Sequence, residues 1–310
     1  MDKDLLIEEL KNVRENAYGW SLYFFKMDRR NSNPFTAYKI RFKNSQYLPE
    51  YAKTLIDMVI KYQMQKIKEI KDYTGENTKV SCDRIETSSE LVKEQWDYFV
   101  KDIAGASDEK VEGKYHGYVL EGISASNSGK SLAFLKIANP IINLKNKRSA
   151  VFKFDADNEL SEMADEICKL RMDADCIVTD DVIYSFNYKI EDLLNMEKTM
   201  KKVKKEALEK IIAVDAFENK DEFEQMARAY KSPRTFITLK SERIERIRDM
   251  AKRKEVADML KIEISKNGKL ILKNEEETSL LLRYLCFKVF KDDETKELLE
   301  ANNVTQIVLN

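Results

Sequence analysis

Between Tyr115 and Phe186 the apolar residues of this chain come in short strand-like runs separated by polar turns, while on either side they recur at helical spacing. A pattern that changes from a period of about 3.6 to a period of two and back excludes an all-helical bundle and an all-β sandwich. No internal repeat or low-complexity tract is present, so the fold class is mixed α/β (α+β). The expectation is an amino-terminal α/β region, central and mostly antiparallel β segments, a helical basic segment, and a small α/β carboxy-terminal region.

The amino-terminal pattern predicts a helix over 3–17 with Leu5, Leu6, Leu10 and Val13 on one face. Strands follow at Trp20–Met27 and Ala37–Phe42, either side of the turn-rich Asn31-Ser-Asn-Pro34. A helix from Pro49 to about residue 71 and another over 88–103 complete this part. The Gly-rich, polar stretch 104–114 reads as a linker, which separates a domain at 1–103 from one at 115–310. Strands are expected at Tyr115–Ile123, Leu132–Ile137 and Ala150–Phe154, and through Cys176–Phe186 around the turn Thr179-Asp-Asp181. Helices are expected at 188–195, 197–212, 221–230 and 241–255, the last with Ser241 as N-cap. The end reads as strands 262–265 and 270–273 around Asn267-Gly268, a helix over 276–289, a short helix, and a final strand at 304–309.

Composition narrows function by subtraction. His116 is the only histidine and has no partner spaced to orient it, which excludes most Ser-His-Asp, Cys-His and His-rich metal sites unless His116 itself takes part. Cys82, Cys168, Cys176 and Cys286 are scattered without a CxxC pair, as expected of buried reduced thiols in a cytoplasmic protein. The chain shows no apolar run long enough to span a bilayer and no export signal after Met1.

Charge is the stronger hint. The net charge of −1 hides ten Lys/Arg against three acids in 228–254 (+7) and six Lys against two Glu in 198–210 (+4), which leaves −12 for the remainder. In the helix over 197–212, Met200, Val203, Ala207 and Ile211 form the packing stripe. The pairs Lys198/Lys202 and Lys201/Lys205 are like charges at i,i+4, an arrangement that weakens a helix unless a polyanion meets it. In 241–254, Glu242→Arg246 and Asp249→Arg253 are favourable pairs of an ordinary solvated face. Arg228, Lys231, Arg234 and Lys240 fall outside those pairs, beside Tyr230 and Phe236. Candidate phosphate-binding residues are therefore Lys198, Lys201, Lys202, Lys204, Lys205, Arg228, Lys231, Arg234 and Lys240.

Two catalytic readings compete. Ser124-Ala-Ser-Asn-Ser-Gly-Lys-Ser131 ends like a phosphate-binding loop, but Ser124 stands where the first glycine belongs, and 132–138 reads as a second hairpin strand rather than the required helix. Asp155, Asp157, Glu166, Asp173, Asp175, Asp180 and Asp181 could hold magnesium in a nuclease, although Glu166 and Lys169 lack strand spacing and aspartates favour turns. Neither reading yields a catalytic residue or a cofactor.

In the carboxy-terminal half, Val151-Phe-Lys-Phe-Asp155, Asp175–Phe186 followed by Ile190–Leu194, and Leu281–Phe290 with Asn302–Ile307 resemble the KwaB family, cytosolic components of Kiwa anti-phage defence systems. The resemblance covers roughly 115–310 and rests on apolar spacing and element order. It implies a DNA-binding effector that restricts phage DNA, works with the membrane protein KwaA beneath the inner membrane, and forms a homodimer. It transfers no active-site motif. The expected function is double-stranded DNA binding without catalysis, with a nuclease, a degenerate nucleotide-binding protein or a protein scaffold as alternatives.

Overall fold

A computed structural model describes residues 3–75, 80–108, 114–124, 131–143, 152–154, 160–162, 166–179, 181–292, 298–300 and 305–306. The chain is mixed α/β around a large, mostly antiparallel sheet, and it divides into two compact units. The first holds Met1–Tyr73 and Asn77–Asn195; the second holds Thr74–Glu76 and Met196–Asn310.

In the first unit, α1 (Lys3–Asn16) leads into β1 (Ala17–Met27) and β2 (Phe35–Ile40). Next come α2 (Tyr47–Met58) with a π-helical turn at Val59–Met64, β3 (Glu69–Asp72), β4 (Ser81–Glu86) and α3 (Lys93–Ala104). Then follow β5 (Gly117–Ser124), β6 (Ser131–Lys136), β7 (Ile141–Asn143), β8 (Phe152–Phe154), β9 (Leu160–Glu162) and β10 (Glu166–Cys168). The unit closes with β11 (Cys176–Val178), β12 (Val182–Ser185) and α4 (Lys189–Leu193). The eight-stranded sheet runs β2-β1-β5-β6-β11-β12-β4-β3, and only its β3–β4 pair is parallel. Period-2 alternation sorts its side chains. Leu22, Phe24, Leu120, Phe134, Ile177 and Tyr184 pack with Leu6 and Leu10 of α1 and Leu55 and Ile56 of α2. Phe25 and Phe35, on the other side, meet Phe99 of α3 with ring centroids 5.2 and 5.1 Å apart.

The structure corrects the expected division at 104–114. β1 pairs with β5 in register Leu22↔Leu120 and Phe24↔Tyr118, so segments before and after that stretch lie in one sheet. Ser107 itself pairs with β2, donating to Ala37 O at 3.1 Å and accepting from Lys39 N at 2.9 Å. The Gly/Ala/Ser composition that resembles a linker serves a sheet edge, and the division falls between Asn195 and Met196.

Other expectations shift for local reasons. The helix from Pro49 ends at the π turn, and β3 follows from Glu69. The helix read over 88–103 begins at Lys93. β4 gave no signal because Ser81 and Asp83 are polar yet buried. The hairpin of β5 and β6 pairs Ile123 with Ser131, while the loop residues 125–130, including Gly129 and Lys130, lie outside the described residues.

The second unit contains α5 (Met196–Ile212), α6 (Lys220–Ala229), a 3-10 segment (Pro233–Thr238), α7 (Ser241–Arg248) and α8 (Met250–Leu260). After these come the hairpin β13 (Glu263–Ile264) and β14 (Leu270–Ile271), α9 (Glu275–Leu285), β15 (Val289–Lys291), β16 (Leu298–Glu300) and β17 (Thr305–Gln306). Its own core gathers Leu208 and Ile211 from α5, Phe223 from α6, Ile247 from α7, Leu260 from α8, and Leu281 and Leu285 from α9. The expected helix 241–255 is broken at Asp249. That carboxylate accepts from Lys252 N at 2.9 Å and caps α8 rather than pairing with Arg253. Arg253 is buried and donates to the carbonyls of Ile247, Arg248 and Gly268.

Candidate nucleic-acid interface

α5 forms because its apolar residues hold one stripe: Met196, Met200, Ala207, Leu208, Ile211 and Ile212 are buried, and the lysines project from the remaining faces. The structure brings the two basic stretches of the sequence together. Lys204 reaches from α5 to the end of α6, where its Nζ donates to Arg228 O at 2.9 Å and to Tyr230 O. These are carbonyls that the end of α6 would otherwise leave without a helical donor. Partial burial holds the Lys204 pKa below its ordinary value. Lys204 is thus a helix-capping residue, its ammonium engaged by two backbone carbonyls.

The other candidates fall into grades. The side chains of Lys198, Lys205 and Lys231 make no hydrogen bond or ion pair among the described residues, and Lys198 and Lys205 lie on the exposed side of α5. Lys201 pairs with Glu197 at 2.7 Å and Lys202 with Glu206 at 3.8 Å, so two members of the like-charged i,i+4 pairs have counter-ions on their own helix. Those lysine side chains are 66% and 76% exposed, so each pair contributes about 0–1 kcal/mol and yields readily to a phosphate. Arg228 pairs with Glu224 at 2.6 Å in the same exposed manner. The Arg234 stem packs at Gly75, whose φ of 79° is left-handed and where a Cβ would lie 2.8 Å from Arg234 Cβ. Lys240 Nζ stands 5.6 Å from the Phe287 ring centroid.

Sequence reasoning passed over the group around Lys240. The Arg243 guanidinium lies 4.0 Å from the Phe287 centroid and 4.6 Å from that of Tyr284. Arg246 Nη1 donates to Tyr284 Oη at 3.0 Å, and this bond raises the arginine pKa. Pairing Arg246 with Glu242 on paper concealed it; the partner comes from α9, beyond any helical spacing.

The described residues of the competing chemistries are arranged as follows. Ser131 opens a strand, so the Gly-Lys-Ser sequence lacks the following helix that presents amides to phosphate. Asp173 and Asp175 converge on the Lys136 ammonium, with Asp175 at 3.2 Å. Asp175 also takes Lys189 Nζ at 3.2 Å, Asn187 Nδ2 at 2.8 Å and Ile137 N at 2.8 Å. Both carboxylates thus already have cationic partners where a metal would sit. Asp181 is exposed, while Asp155, Asp157, Asp180 and the Glu166 side chain lie outside the described residues. No group of three or more His, Cys, Asp or Glu among the described residues could hold a metal ion.

His116 accepts from Met27 N through Nδ1 at 3.0 Å; burial, then the nearby Lys114 and Arg29 cations, lowers its pKa, and it secures the end of β1. Cys82, Cys176 and Cys286 are buried, and burial pushes Cys176 and Cys286 up to about 12. Cys168 is exposed, contrary to expectation.

The two units differ in sign: residues 1–73 and 77–195 hold 29 Lys/Arg and 32 Asp/Glu, whereas 74–76 and 196–310 hold 25 and 23. Comparison with protein-family models, curated proteins and solved structures finds no match, so placement of side chains carries the functional assignment.

Proposed function

We propose that this protein is a DNA-binding effector, with the phosphate backbone received by the exposed basic residues of α5 and the adjoining end of α6. The single observation that carries the reading is the Lys204 contact. It joins α5, which carries Lys198, Lys201, Lys202 and Lys205, to the end of α6, which carries Arg228 and leads to Lys231. Neutralising phosphates releases condensed counterions, so affinity should fall steeply with salt and depend little on base sequence. The resemblance to KwaB proteins supports the same reading. It extends the proposal to restriction of phage DNA in a bacterial defence system, with KwaA as membrane partner, a homodimeric state and recruitment to the inner membrane. No helix among the described residues is long and apolar enough to cross a membrane.

The test is fluorescence anisotropy of labelled duplex DNA across a salt series, with magnesium present and absent. Reversal of Lys201, Lys202 and Lys205 to glutamate should weaken binding for every sequence and reduce the salt slope by about three. Unchanged affinity in that variant would remove this face from the interface. DNA should remain intact in magnesium, and cleavage would replace the binding reading with the nuclease.

A further inference from the structure

Helix α9 ends in paired backbone bonds, Phe287 N to Tyr284 O at 3.1 Å and Lys288 N to Arg283 O at 2.8 Å. This is the Schellman arrangement, whose first residue beyond the cap takes a left-handed conformation and is usually glycine. Here it is Phe287, with φ 58°. A bulky side chain is strained at that angle, and such strain persists where something else requires the residue.

Core packing is an incomplete explanation, because the phenyl ring is only half-buried. Attraction of cations to the carbonyl end of α9 does not explain it either, since glycine at 287 would leave that end equally negative. The ring's particular contribution is a π-face beside Arg243 and Lys240, with Tyr284 on the same guanidinium. Thr238 Oγ1 donates to Cys286 O, which ties this turn to the 3-10 segment, and that segment packs along α5. The aromatic turn therefore continues the basic surface.

We infer that Phe287 and the Arg243 guanidinium form a stacking platform for an unpaired nucleobase, with Lys240 meeting an adjacent phosphate. Stacking on an aromatic ring and a guanidinium tolerates any base, because every base has a π-face. The inference rests on the DNA-binding reading and narrows its substrate to DNA that carries unpaired strand, such as a melted or replicating region.

The experiment compares a single-stranded oligothymidylate of about 15 nucleotides with a duplex of equal length, by anisotropy, for wild type, Phe287→Gly and Phe287→Leu. Glycine relieves the backbone strain, and leucine keeps apolar bulk without a π-face. Both variants should lose about tenfold in single-strand affinity, keep duplex affinity within about twofold, and show a urea midpoint unchanged or, for glycine, raised. Undiminished single-strand binding in both variants, or a wild type that binds duplex and ignores the oligothymidylate, overturns the platform and leaves the DNA-binding reading standing. Failure of the wild type to bind either probe overturns both.

Discussion

Two sets of lysines in this molecule look alike on a charge count and behave oppositely. In the first unit Lys136 is 3% exposed and lies between Asp173 and Asp175, with Asp175 also neutralised by Lys189. On α5 of the second unit the Lys201 and Lys202 side chains are 66% and 76% exposed, each beside one glutamate of its own helix. The first set is fixed by desolvation: removing one partner strands a charge in a medium that cannot solvate it. The second is held by water-screened pairs and can exchange glutamate for phosphate. The lesson is that availability, rather than charge, defines a polyanion site, and Lys204 marks the boundary by turning inward to cap α6.

The largest break in this comparison is Asp175→Ala. It should cost about 2–4 kcal/mol, because Ile137 N and Asn187 Nδ2 lose an acceptor and Lys136 is left with Asp173 alone. Urea unfolding measures it, and a loss below about 1 kcal/mol would mean the network is solvated. Replacing Lys136 and Asp175 together by Met and Leu should cost clearly less than the single change. Next comes Lys204→Ala, with an expected loss of about 1–2 kcal/mol as two carbonyls lose their donor, against about 0.5 or less for Lys205→Ala. Equal melting shifts for the two would erase the distinction between capping and available lysines. Asp249→Ala should remove the α8 cap at about 1 kcal/mol and leave duplex-DNA affinity unaltered. The smallest effect concerns acid. Burial pushes the Asp173 pKa up, but hydrogen bonds from Lys136 and Arg171 outweigh it and hold the carboxyl below its ordinary value. Its stabilising contribution is present above pH of about 4 and lost as pH falls through the lower folded pKa. Asp173→Asn should flatten that acid limb in a pH series of urea midpoints.

Much of the fold was legible where one face of an element is buried and the other wet. Leu6, Leu10 and Val13 mark α1, Met200, Ala207 and Ile211 mark α5, and short apolar runs mark β5 and β6. Elements whose logic is tertiary were hidden. β4 buries Ser81 and Asp83 because β3 and β12 flank it, and nothing local announces such a strand. Asp249 satisfies two local rules, an i,i+4 partner for Arg253 and an N-cap for Lys252, and packing chose the second. The linker reading failed because Ser107 pairs with β2 across the sheet edge. At the site, the basic segments were visible as composition, but their juxtaposition through Lys204 and the cations around Phe287 required contacts between residues 24 and 44 positions apart.

The most direct test of the central claim is a lysine-acetylation footprint read by mass spectrometry, with and without duplex DNA. The account expects Lys198, Lys201, Lys202, Lys205 and Lys231 to be reactive in the free protein and protected by DNA, with Lys136 and Lys204 slow in both states. Protection confined to lysines within residues 1–195, or none in the presence of bound DNA, would contradict it.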